Sequence, residues 1–224
     1  MTLNARAWLS LIILLTVMCV LLFGTAGTLQ YWQAWIYVAI FGGAAALTTL
    51  YLMKNDQALL ARRMRGGPMF EKERAQQIIM VFTSLGFIAL LAVPALDRRF
   101  GWSVVPVWGV VLGNVLVAVG FSFIFLVYRE NPFTAAIVEI AATQKVIETG
   151  PYAVVRHPMY ASGMLYMVGT PLALGSYWGF LALIVILPFL LWRLLDEERL
   201  LTRDLPGYAA YRRRVRHRLV PRVW

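Results

Sequence analysis

Residues 150–160, GPYAVVRHPMY, bring an arginine, a histidine, two tyrosines, a methionine and two prolines together between apolar runs. Pro151 and Pro158 each push the preceding residue away from helical geometry, so GPY reads as a turn and His157 as held in an extended or bent backbone. One hydrophobic hairpin later, RLLDEERLL at 193–201 crowds Arg193, Asp196, Glu197 and Glu198 at the end of an apolar helix. Arg193 and Glu197 are four apart and share one helix face. An imidazole donates to a carboxylate or hydroxyl, a carboxylate accepts from hydroxyls or an ammonium, and tyrosine and methionine pack on aromatic and thioether groups. The two stretches read as two walls of one site on which side-chain and helix-terminal polar groups converge.

What must position those walls is a set of membrane helices. Of the 224 residues, 60% are hydrophobic and 14% charged, with a mean hydropathy of +0.69, beyond what a water-soluble domain carries. A crossing takes about 20 apolar residues. Residues 8–23 read as a retained first helix rather than a cleaved signal. The second span, 31–53, opens on Tyr31, Trp32 and Trp35, where interfacial rings belong. Spans at 76–96 and 104–127 follow, the latter with Gly109, Gly113 and Gly120 as small surfaces for close helix contact. The run at 161–174, broken by Pro171, has only about 14 residues and is short, tilted or re-entrant, whereas 180–195 is a longer apolar helix. The expected fold class is therefore all-α: a polytopic integral membrane helical bundle of five to six transmembrane helices. Residues 1–127 form the N-terminal transmembrane helices, and 128–224 a catalytic region with a helical hairpin and a basic C-terminal tail.

The net charge of +10 speaks to orientation and the anionic lipid surface rather than to nucleic acid. Lys54, Arg62, Arg63, Arg65, Lys72 and Arg74 mark 54–75 as a cytoplasmic loop, and nine arginines (193, 199, 203, 212, 213, 214, 216, 218, 222) put the C-terminus on the same side. An even number of spans brings the N-terminus there too, and 128–160 with it. The link at 97–103, with Arg98 and Arg99 against Asp97, then lies on the opposite face. Cys19 is the single cysteine, which excludes an intramolecular disulfide and a cysteine-based metal site.

Each polar residue also has a plainer reading. Arg193 and the glutamates suit an interfacial helix end, with Arg193 snorkelling and Glu198 paired with Arg199 or Arg203. His157 suits a turn, Tyr152 and Tyr160 suit interfacial aromatics, and RRRVRHR, with His217, suits a lipid-headgroup face. Glu130, Asn131 and Pro132 are a polar break after the fourth span, explained equally by a helix stop or by an acceptor entrance.

GPYAVVRHPMY, then DEERLL after a hydrophobic hairpin, then LPGYAAYRRRVRHRLVP, together resemble the isoprenylcysteine carboxyl methyltransferase and phospholipid methyltransferase superfamily of membrane enzymes. More narrowly they resemble its bacterial isoprenylcysteine methyltransferase-like members, which implies a multi-pass protein of the inner membrane with its site facing the cytoplasm. The motifs cover about residues 128–224, the earlier spans being similar only in hydropathy. The resemblance implies methyl transfer from S-adenosylmethionine without a metal. It carries the cofactor-binding positions onto Gln144, Lys145, Val146, Ile147, Tyr152, His157, Pro158, Met159, Tyr160 and Glu197, with Glu198 beside it, and the acceptor-side arginine onto Arg193. Two departures stand out: Ser162 occupies a position that is glycine in many relatives, with Gly163 after it, and LPGY replaces the usual approach to Tyr208.

S-adenosylmethionine offers an aromatic base, a ribose diol, a carboxylate, an ammonium and a sulfonium, and the residues above include a partner for each. The acceptor implied is hydrophobic or lipid-like, a prenylcysteine-type carboxylate or a phospholipid amine, reaching the site from the bilayer. Two other classes compete. One is a membrane NADPH-dependent reductase of the sterol-reductase kind, whose C-terminal region is distantly similar; the other is a transporter or structural membrane protein, and the near absence of ionisable groups within the spans argues against transport.

Overall fold

A computed structural model describes residues 1–71, 73–134, 136–138, 140 and 143–224; Lys72, one of the basic residues of the first loop, lies outside them. Helix is the only regular secondary structure among the described residues, which include no strand. α1 (Leu3–Cys19) runs into a single π-turn (Val20–Gly24) and is followed by α2 (Trp32–Asn55) and the short α3 (Gln57–Arg63). α4 (Arg74–Phe100) and α5 (Val107–Glu130) come next. A hairpin of α6 (Pro158–Ala173) and α7 (Phe180–Asp204) follows, and then α8 (Tyr208–Arg214). In a lipid phase the helix satisfies its own backbone, which is why apolar segments this long take that form.

Four of these helices are long and apolar enough to cross a membrane: Leu3–Gly24, Trp32–Asn55, Arg74–Phe100 and Val107–Glu130. The hairpin differs. α6 has 16 residues, about 24 Å at 1.5 Å per residue, and α7 has 25 residues but is apolar only up to Trp192, before Arg193. The expectation of five to six full spans thus resolves into four membrane-length helices and a hairpin packed among them.

α5 and α6 form the closest pair, because glycines remove the side chains that would hold their backbones apart. A Cβ on Gly113 would lie 2.2 Å from the Ala173 nitrogen and 2.7 Å from the Gly169 oxygen, and one on Gly120 would lie 2.8 Å from the Tyr166 nitrogen. Backbone cannot yield as a side-chain tip does. Gly113→Val is therefore expected to cost more than about 3 kcal/mol and to abolish a monodisperse peak in detergent. Gly43→Ala on α2, where a new Cβ meets nothing within 4 Å, should leave the melting temperature unchanged or raise it slightly.

The end of the bundle away from the polar loops is locked by Asp97. Its buried carboxylate accepts from the Ser103 amide at 2.7 Å, the Ser103 hydroxyl at 2.5 Å and the Ser176 hydroxyl at 2.6 Å. The α4–α5 link is thereby pinned to the α6–α7 turn. Arg98 and Arg99, awkward in sequence on this face, do not pair with it: Arg98 donates to the Gln30 carbonyl at 3.0 Å and Arg99 lies over the Phe100 ring. Above this end sits the main core, with Leu22, Tyr31, Tyr37, Val117 and Leu174.

Candidate active site

At the opposite end the helices part around a cavity of about 810 Å³. Arg193, Gln144, Lys145, Val146, Ile147, Tyr152, His157, Pro158, Met159, Tyr160 and Glu197 all line it. Glu198 does not. Adjacent residues on a helix point about 100° apart, so a face that holds Arg193 and Glu197 excludes Glu198.

The RHP motif is held from beneath. Pro158 opens α6 at N1, where its missing N–H costs nothing, and His157 precedes it in the bent backbone the sequence predicts, at φ −123°, ψ 61°. Arg156, buried and absent from the expected site residues, spends its guanidinium on the tail. It donates to Glu198 Oε1 at 2.7 Å and to the Val215 and Arg216 carbonyls at 2.8 and 2.7 Å. The amides of Arg156 and His157 bond to the carbonyls of His217 and Arg218 at 2.9 and 3.0 Å. Arg218 returns to Glu198 Oε2 at 2.8 Å. Glu198 is thus the knot tying the motif to the C-terminal tail, partnered by Arg156 and Arg218 rather than by Arg199 or Arg203; Arg203 pairs with Asp204. The tail is a built part of the site wall as well as a basic surface, and no local sequence signal announces that.

Three buried polar atoms on the cavity wall have no hydrogen-bond partner among the described residues: His157 Nε2 and the Tyr208 hydroxyl at the mouth, on residues each 4% exposed, and the Thr83 hydroxyl farther in along α4. The imidazole is 3.8 Å from Glu198 Oε1, outside hydrogen-bond reach. Unpaired polar atoms at this depth are costly and call for a partner, a ligand or an ordered water, in the cavity. Tyr160 donates to Glu197 Oε2 at 2.7 Å, Asn131 donates to the Tyr152 hydroxyl at 2.8 Å, and the Tyr211 hydroxyl donates to the Tyr152 carbonyl at 2.7 Å. Asn131 is therefore more than a helix stop; it sets the ring of a wall residue. Burial pushes the Tyr152 and Tyr208 phenols well above their ordinary range, so both remain protonated at neutral pH.

Arg193 is held differently from the snorkelling alternative. It is 8% exposed and donates to Glu71 Oε1 at 2.7 Å, to Gln76 Oε1 at 3.0 Å and to the Ala136 carbonyl at 3.1 Å. Glu71 Oε2 in turn accepts from the Val138 amide at 3.2 Å, and Gln76 donates to Asp196. Glu71 and Gln76 are the residues sequence reasoning missed, for they stand more than a hundred positions from Arg193 and carry no motif. The departures at 162 and 208 prove harmless to the cavity. Ser162 turns back to the Pro158 carbonyl at 2.6 Å and does not line it, Gly163 does, and Tyr208 reaches the wall from Gly207 at φ +87°.

Most of the remaining lining is apolar and comes from helices far away in sequence, with Ala7, Leu11 and Leu14 of α1, Ala45 and Leu52 of α2 and Met80 of α4, interrupted by the hydroxyls of Ser10, Thr48, Thr49 and Thr83. One cavity thus joins a polar mouth to an oily interior. Compared with known families, residues 108–206 match the family described as phospholipid methyltransferase, from the start of α5 to the end of α7 and stopping just short of Tyr208. No curated protein matches the chain.

Proposed function

We propose that this chain is an integral membrane, S-adenosylmethionine-dependent methyltransferase acting on a hydrophobic or lipid-like acceptor, a reading supported by the match of residues 108–206 to the phospholipid methyltransferase family. The observation that carries it is the single cavity with two unlike ends, its mouth walled by two buried unpaired polar atoms and a carboxylate, its interior mostly by apolar side chains. When bound, S-adenosylmethionine supplies an electrophilic methyl group. The residues present fit it: Tyr152, Met159, Tyr160 and Tyr208 offer faces for the adenine and thioether, His157 and Tyr208 carry uncommitted polar atoms for its carboxylate and hydroxyls, and Glu197 accepts from the ribose or ammonium. Arg193, fixed by Glu71 and Gln76, orients the acceptor head one helical turn from Glu197. The residues' work is alignment and exclusion of water, worth up to about 7–11 kcal/mol in well-oriented cases. The basic residues of the tail and first loop support a cytoplasmic position for this end.

The test is calorimetric titration of detergent-purified protein with S-adenosylhomocysteine, repeated on Glu197→Ala. Micromolar binding by the wild type and its loss in the variant, with an unchanged melting temperature, is the expected result. A well-folded wild type that binds none sinks the reading.

A further inference from the structure

The cavity ends partway down the bundle on an aromatic course, flanked by Leu14 of α1, Met167 of α6 and Leu190 of α7. Phe41 of α2, Phe121 of α5, Tyr166 of α6 and Phe87 of α4 line its deep end and touch in series. Ring centroids are 5.0 Å apart for Phe41 and Phe121, 5.4 Å for Phe121 and Tyr166, and 6.4 Å for Tyr166 and Phe87. Each ring is half-buried. Phe41 and Phe121 rest on the core around Tyr37 and Val117, and Phe87 and Tyr166 on the cluster around Met167 and Ile186. The floor is therefore backed by close-packed side chains that give little.

Its depth follows from helix geometry. On α4, Gln76 bonds Arg193 at the mouth and Phe87 lies in the floor eleven residues on; on α2, Leu52 and Phe41 are also eleven apart. At 1.5 Å per residue that is about 16 Å, roughly half of a hydrocarbon core about 30 Å thick. A C–C bond of about 1.5 Å advances an extended chain by about 1.25 Å, so once about 2 Å is left for the radius of the terminal methyl against the floor, about twelve carbons fit straight.

We infer that the aromatic course is a length gauge for the apolar chain of the acceptor. This rests on the acceptor reading above. Chains of up to about twelve extended carbons seat straight with the head at Arg193; each methylene up to that point adds about fourfold in affinity. Longer chains fold back or stay partly in lipid, and gain nothing from the extra length.

The test titrates the purified full chain, with and without S-adenosylhomocysteine, with straight-chain alkanoates of about eight to sixteen carbons, each added methylene being read as a step in affinity. The expected series climbs to about twelve carbons and then stops. Phe121→Ala should move the break up by two or more carbons. Ala45→Phe, one turn above Phe41 on the same face of α2, should move it down without deleting any core side chain. An unbroken climb to sixteen carbons, a break that neither folded variant moves, or no alkanoate binding by protein that binds S-adenosylhomocysteine overturns the gauge. Failure of wild type to bind S-adenosylhomocysteine removes the cofactor reading instead, and the alkanoate series still decides the gauge.

Discussion

Arg193→Ala is expected to bind S-adenosylhomocysteine within about threefold of wild type while transfer of labelled methyl from S-adenosylmethionine into a total membrane lipid extract falls by about a hundredfold or more, the size of effect that misplacing a reacting group produces. The division of labour explains the split, since Glu197 is assigned the cofactor and Arg193 the acceptor from one face of α7. A second effect must be separated from it. Arg193 and Glu71 are a buried pair at 2.7 Å, and removing one partner strands the other at a cost of about 3–5 kcal/mol. The single variant should therefore melt early. Adding Glu71→Gln, which removes the stranded charge, should restore the melting temperature but not the turnover. Recovery of turnover in the double variant would make Arg193 a structural residue only, and collapse of S-adenosylhomocysteine binding in the single variant would mean that the two roles are exchanged.

Glu198→Ala is the other large effect. It leaves Arg156 and Arg218 facing each other without the carboxylate between them, and the loss expected is again about 3–5 kcal/mol. It should be accompanied by faster tryptic cleavage at Arg218 as the tail comes away from the RHP motif. Direct cofactor binding by Glu198 predicts the opposite pattern: lost S-adenosylhomocysteine affinity with an unmoved melting temperature. The carboxyl also sets a pH dependence. Burial alone would raise it, but Arg218 and Arg156, with the His157 imidazole alongside, hold it well below the usual carboxylate range. A carboxylate depressed in the folded state contributes stability that is fully present above its unfolded value of about 4.3 and is lost as pH falls toward the folded one. The advantage of wild type over Glu198→Gln should be flat from about pH 5 to 8 and shrink on acidification below about pH 4. An advantage that grows on acidification would place the stabilising charge elsewhere.

Hydropathy made the helical class and the four long apolar helices legible, because a segment with nowhere else to satisfy its backbone has only one form available. The hairpin was harder: the charged end of α7 is continuous with its apolar start, 180–192, so a helix of 25 residues falls short of the composition that marks the other four as crossings. The motif residues of the mouth were likewise visible, since Pro158, His157 and the four-residue spacing of Arg193 and Glu197 are local facts with local geometric consequences. Everything that depends on contact between distant segments was not. Glu71 on Arg193, Arg156 and Arg218 on Glu198, the backbone of 217–218 on 156–157, and the aromatic course drawn from four helices all join residues with no mutual signal in composition or spacing. Residue types and local periods therefore determined what this protein is built from and which chemistry its mouth offers. Only packing decided which charges cancel, which polar atoms stay free, and how deep the oily interior runs, because those are properties of neighbours in space.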